Sequence, residues 1–174
     1  NNKVPILEQL KSLLTGCRSV LEIGGGTGQH ALYFAQSLPY LTWHSSDVAS
    51  NLDSLARRIA HASLENLPEP IRLDVDHRPW ACGRFDAVFT ANSLHIMSEN
   101  SVGNLFVEIP DHMNAQAQLL VYGPFKYKGA FTTASNASFD EWLKERNPVS
   151  GIRDFEWINR LAQRAGLRLK QDLS

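Results

Sequence analysis

The run Glu22-Ile23-Gly24-Gly25-Gly26-Thr27-Gly28-Gln29-His30 places an acid, glycines at alternate positions and a hydroxyl within one short segment. Glycine at 24, 26 and 28 lets a backbone turn sharply and lets a ligand lie against bare amides. Glu22 lies near the carboxyl end of the apolar run Val20–Ile23, and His30 begins an amphipathic stretch. This order reads as a buried strand, a tight loop and the start of a helix. Two ligand chemistries compete for such a loop. A pyrophosphate is met by G-x-G-x-x-G at a helix N-terminus. Gly24-x-Gly26 would then need a third glycine at position 29, which is Gln29. An acid at position 22 also sits poorly beside that anion and suits a ligand that is cationic there. Glycines used for packing alone would not need this alternation.

The α-amino group of S-adenosylmethionine is such a cation. The run resembles the nucleoside-binding loop of class I S-adenosylmethionine-dependent methyltransferases, with Glu22, Gly24, Gly25, Gly26, Thr27, Gly28 and His30 as its candidate contacts. Other candidates fall at strand ends, where open α/β sheets bind ligands. Asp47 follows the loop at the distance where an acid accepts both ribose hydroxyls; its plainer role is to cap a turn. Asp74 and Val75 close a third strand beside the expected adenine edge, although Asp74 also fits a solvated turn with Asp76. Ala91 and Asn92 end a fourth strand and offer a carbonyl and an amide to the amino-acid half. Trp80 either covers the adenine or fills the core.

On the acceptor side, His95 is a candidate general base or a structural histidine. Tyr122 and Phe125 flank Gly123-Pro124 after the fifth strand, and Asn136 and Arg153 belong to loops on the same side. The stretch Lys126 to Asn136 reads as a substrate loop or lid. Arg153 either meets an acidic substrate or pairs with Asp154 or Glu156 on the surface. These residues are expected to bound a pocket that admits a small molecule and not a folded macromolecule.

The elements that must position them alternate. Helices are expected at 5–14, 30–38, 52–60, 101–113, 139–146 and 154–165, the fourth ended or kinked by Pro110. Strands are expected at 19–23, 41–45, 71–75, 85–90, 118–122 and 167–173. This alternation implies an α/β fold with a mostly parallel sheet covered on both faces; the resemblance of the glycine loop implies a Rossmann-like class I methyltransferase sandwich.

Composition agrees with a globular enzyme-like domain. The chain has 174 residues, 43% hydrophobic and 20% charged, with net charge -1. Scattered basic residues and near-neutrality give no pull toward nucleic acid or acidic membranes. No apolar run approaches a membrane span, and no signal peptide is visible. Cys17 and Cys82 are isolated, so no metal site or disulfide framework is expected, and a cytoplasmic location is. The sequence says nothing of oligomeric state.

Further blocks narrow the resemblance. They include Asn2-Lys3 before Pro5-Ile6-Leu7, Trp43 to Asp47, and Thr90-Ala91-Asn92 with Leu94-His95-Ile96. Tyr122-Gly123-Pro124-Phe125, Ser135-Asn136-Ala137 with Phe139-Asp140, and Gly151-Ile152-Arg153-Asp154 complete the set. Together with the glycine loop these resemble the methyltransferase-like protein 26 family, domain of unknown function 938, over nearly the whole chain. The resemblance implies a class I methyltransferase fold that binds S-adenosylmethionine, with no settled substrate. A small-molecule methyltransferase is therefore expected. A non-catalytic domain that binds the cofactor or a partner shares the same loop, and a nicotinamide-dependent oxidoreductase is opposed by Gln29 and Glu22. A sulfonium methyl is already electrophilic, so the absence of an obvious catalytic dyad does not oppose an enzyme. Residues 1–174 are read as one domain. Such sheets carry a last antiparallel strand, and the natural protein is expected to extend past Ser174 to supply it.

Overall fold

Four buried residues in succession, Val20-Leu21-Glu22-Ile23, make strand β1 (Ser19–Ile23) a strand covered on both faces. Parallel strands in α/β sheets are buried in this way. In the computed structural model, which describes residues 2–173, β1 lies at the centre of a parallel sheet. Its neighbours are β2 (Thr42–Asp47) on one side and β4 (Phe85–Ala91) on the other. Short β3 (Ile71–Arg72) pairs with β2, and β5 (Met113–Tyr122) pairs with β4, giving the order β3-β2-β1-β4-β5. Helices α1 (Lys3–Leu13), α2 (Gln29–Ser37) and α3 (Ala49–Ala62) flank this sheet.

The chain divides into two compact units, the first formed by residues 1–91 and 111–122, the second by 92–110 and 123–174. In the first, Phe34 of α2, Trp43 of β2 and Phe89 of β4 meet with ring centroids 5.3–5.7 Å apart. All three are fully buried, with Ile6, Leu7 and Leu10 of α1 and Leu55 and Ile59 of α3 in the same cluster. The α2–β2 connection is fastened by Asn66, whose amide donates to the Ala35 and Leu41 carbonyls, each at 2.8 Å. Asp86 ties three segments together by accepting from the Arg18 and Ser19 amides and from Asn114 Nδ2.

The second unit contains α4 (Glu99–Glu108), α5 (Ala134–Arg146) and α6 (Phe155–Arg164). It also holds a small sheet of β6 (Phe125–Tyr127), β7 (Ala130–Phe131) and β8 (Arg153–Asp154), ordered β7-β6-β8. Lys128 (φ 51°) and Gly129 (φ 77°) turn the β6–β7 hairpin, both left-handed as a two-residue primed turn requires. Glycine adopts that conformation freely; a lysine there costs about 1–2 kcal/mol.

Three expectations are corrected. Residues 167–173 form no strand, because no neighbour pairs with them among the described residues. The expected lid over 126–136 is a tight hairpin followed by the first turn of α5, whose Thr133 side chain accepts from the Asn136 amide. The third strand ends at Arg72, short of Val75, because the chain turns at 74–77 instead. Asp154 stands at the N-cap of α6, and its carboxylate serves the hairpin, accepting from the Gly129 amide. Among the described residues, no helix is long and apolar enough to cross a membrane.

Candidate functional site

The end of β2 holds the glycine loop amide by amide. Gly24 and Gly25 both donate to the Ser46 carbonyl (3.0 and 2.8 Å), and Gly26 donates to Asp47 Oδ2 at 2.6 Å. Ser46 Oγ returns a bond to the Glu22 carbonyl at 2.7 Å. Gly24, Gly26 and Gly28 all have φ between 55° and 77°, which explains their alternation. Gly25 is required for a different reason: a Cβ there would lie 2.2 Å from Ser45 Oγ. The loop rises to exposed Gly26 and Thr27 and returns to buried Gly28 at the foot of α2.

Glu22 lies beneath this loop at 2% exposure. Its carboxylate accepts from Ser45 Oγ at 2.6 Å and Trp43 Nε1 at 3.2 Å. Burial pushes its pKa up, partly offset by these two donors. Asp47 accepts from the Gly26 amide, from the Val48 amide (2.7 Å) and from Asn51 Nδ2 (2.9 Å). A carboxylate offers about four lone-pair positions, so these three bonds leave it capacity for a further donor. His30 stacks on Phe34 (5.3 Å between centroids) and shares a hydrogen bond with Asn2. Burial, then the Lys3 charge, lowers its pKa.

Asp74 is half-exposed and accepts from the Asp76 amide and from the His77 ring, contacts that hold its pKa down. The solvated-turn arrangement is therefore the one its carboxylate makes. Val75 is buried. Ala91 ends β4 opposite Tyr122, which is 39% exposed at the end of β5. Trp80 is buried and stacks on His112, its ring 5.2 Å away.

The second unit carries the other candidates. Asn92 adopts φ 56°, an unusual left-handed conformation for a side-chain-bearing residue. His95 is 5% exposed, packs edge-on to Phe139, and makes no ring hydrogen bond among the described residues. Burial first, then the Arg153 charge, lowers its pKa and favours the neutral imidazole. Phe125 pairs in register with Arg153 across β6 and β8 and packs on Phe155. Asn136 lies in the first turn of α5, its amide donating to Thr132 Oγ1.

Arg153 is buried, and its guanidinium donates to the carbonyls of Leu94, Met97 and Val149. Its acidic neighbour is Glu99 at 3.6 Å, not Asp154 or Glu156. Of the expected acceptor-side residues, Arg153 lines a pocket of this unit. Its other walls include Lys126, Lys128, Trp157 and Arg160, which sequence reasoning missed because they are far apart in the chain. Ser45 and Ser46 were also missed as loop supports; two serines in a buried strand were their only signal. No group of three or more metal-ligating side chains occurs among the described residues.

A five-stranded parallel sheet in the order β3-β2-β1-β4-β5, with a glycine loop after β1 and an acid ending β2, is the fold of solved S-adenosylmethionine-dependent methyltransferases. Solved structures agree. The chain superposes on an O-methyltransferase family protein from Burkholderia thailandensis with TM-score 0.86 at 18% identity, over 99% of this chain and 53% of that one. It superposes on human N-acetylserotonin methyltransferase in complex with S-adenosylmethionine with TM-score 0.79 at 18% identity, over 98% and 47%. The S-adenosylmethionine-dependent methyltransferase SibL gives 0.78 at 23% identity, over 94% and 48%. The chain thus spans about half the length of these structures. It belongs to the family described as protein of unknown function DUF938, whose model matches residues 1–174.

Proposed function

We propose that this chain is an S-adenosylmethionine-dependent methyltransferase acting on a small molecule. The observation that carries the reading is the loop itself, exposed at Gly26 and Thr27 and fixed to a buried carboxylate, Asp47, that still has hydrogen-bonding capacity. Glu22, Gly24, Gly25, Gly26, Thr27, Gly28, His30, Asp47, Asp74, Val75, Ala91 and Asn92 are the residues we assign to the cofactor. The donor set fits: bare amides for the polar groups, and an acid suited to ribose hydroxyls. Bound S-adenosylmethionine would supply an electrophilic methyl group on a sulfonium.

The chain's own part is to hold and orient. The loop is already ordered by β2, so little conformational entropy remains to be lost on binding. The neutral imidazole of His95 is suited to accept a proton from an acceptor hydroxyl or amine. We assign Tyr122, Phe125, Asn136 and Arg153 to the acceptor side, Arg153 acting through the carbonyls it holds. Titration calorimetry tests the cofactor. S-adenosylhomocysteine is expected to bind and NAD not to; binding of NAD with no response to S-adenosylhomocysteine overturns the reading.

A further inference from the structure

We propose that the pocket of the second unit binds a small organic anion bearing a carboxylate or phosphate, a role separate from the cofactor loop. The pocket measures about 480 Å³, within the range of small-ligand sites. Five cationic side chains and three carboxylates line it. Most of these charges already have partners. Arg153 is committed to three backbone carbonyls. Lys144 pairs with buried Asp140 at 2.6 Å, and Lys126 faces Asp154 at 3.6 Å.

The acids are occupied as well. Both oxygens of Glu156 accept from the Lys128 backbone amide at 3.1 Å, and Asp154 accepts from the Gly129 amide. Glu99 faces Arg153 at 3.6 Å, its side chain 74% exposed. What remains is the Lys128 ammonium and the Arg160 guanidinium, neither in an ion pair among the described residues. Lys128 also holds a left-handed turn position where glycine would be unstrained. Two unspent cations at one concavity, beside the indole of Trp157, match a ligand with one anionic group and an organic body.

Titration of the intact chain with phenyl phosphate and with benzoate at low ionic strength reads the proposal. Saturable one-to-one binding of at least one is expected, weakened roughly tenfold by Lys128→Gln or Arg160→Gln, the loss of one charge-assisted hydrogen bond. Preference for phenyl phosphate assigns a phosphate ester, and preference for benzoate a carboxylate. Both substitutions are at exposed side chains, and circular dichroism checks that the fold is kept. No saturable binding of either probe, or binding unchanged in the double variant, overturns the proposal. S-adenosylhomocysteine titrated in parallel tests the cofactor reading alone, because neither substitution touches the glycine loop.

Discussion

Asp47 and Gly25 show how closely single residues are specified at the loop. Asp47→Ala removes the acceptor for two backbone amides and one side-chain amide. Their loss lowers stability, whereas each bond from a ribose hydroxyl to the charged carboxylate would contribute about 1.5–3 kcal/mol to binding, so binding of S-adenosylhomocysteine should fall at least tenfold. Calorimetry beside a melting curve separates the two effects, and affinity equal to the parent removes Asp47 from the site. Gly25→Ala forces a methyl group against Ser45 Oγ and should cost about 1–3 kcal/mol, as overpacking does. Ser45→Ala removes that oxygen, so the double variant should be more stable than the two single costs added together predict. Simple additivity in urea unfolding would show that the clash is relieved in another way. The alternate glycines were legible in the sequence because their left-handed conformations are local. Ser45 was not, since its contact with Gly25 depends on strand register, which no local pattern states.

At the scale of elements, the segments leading to the glycine loop were read well and later ones less well: the helix expected at 101–113 ends at Glu108, Met113 begins β5, and α5 starts at Ala134, not 139. β1 was read to the residue, and the helix before it to within a few positions, because a continuous apolar run and a 3.6-residue period are strong signals. The stretch 167–173 has strand-like alternation, Leu167, Leu169 and Leu173 among polar residues, but a strand exists only where a partner pairs with it. Gly129 marked a turn in the sequence, but the hairpin was not legible because lysine stands beside it where asparagine or glycine usually marks such a turn. Tertiary ties between elements were equally silent in the sequence. Asn66 is one: Asn66→Ala leaves the Ala35 and Leu41 carbonyls without their side-chain donor and should cost about 1–3 kcal/mol. Asn66→Asp should cost at least as much, because it replaces a donor with an acceptor facing those carbonyls. Denaturant midpoints at constant m-value measure both, and an unchanged midpoint in both variants would mean that solvent replaces the amide.

For the whole molecule, titration has a defined sign. His30, His44 and His95 all have pKa values held below their ordinary 6.5, with burial as the largest cause in each. The unfolded chain therefore binds more protons than the native one as pH falls through 6.5, and stability falls with it. Glu22 acts with the opposite sign: its raised pKa means that protonation relieves a buried charge in acid. Asp86, held low by Asn114 and the Arg18 amide, adds to acid loss at lower pH. Stability should therefore decline as pH falls through 6.5, with the His30, His44 and His95 signals titrating below 6.5 in nuclear magnetic resonance spectra. Any of these three titrating at or above 6.5 would contradict the burial of its ring. Fold class was legible because alternating elements leave few arrangements. The charge balance of the second-unit pocket was not, since it is set by which carboxylates the hairpin amides occupy.

The parallel order of the main sheet also governs how the chain reaches it. No two of its strands are joined by a hairpin, so every pairing closes a long loop before contact repays the lost entropy. Contacts of β1 with β2 span about 23 residues, while those with β4 span 67. On a growing chain β2 is available to β1 well before β4 is made, leaving the other edge of β1 open in the interval. That edge exposes unpaired backbone amides and carbonyls of a strand whose Val20, Leu21 and Ile23 are buried in the fold, a template for pairing with another chain. The late arrival of Ala87, Val88 and Phe89 closes that edge, so the rate of this one long-range docking step sets how long the nascent chain remains prone to aggregate.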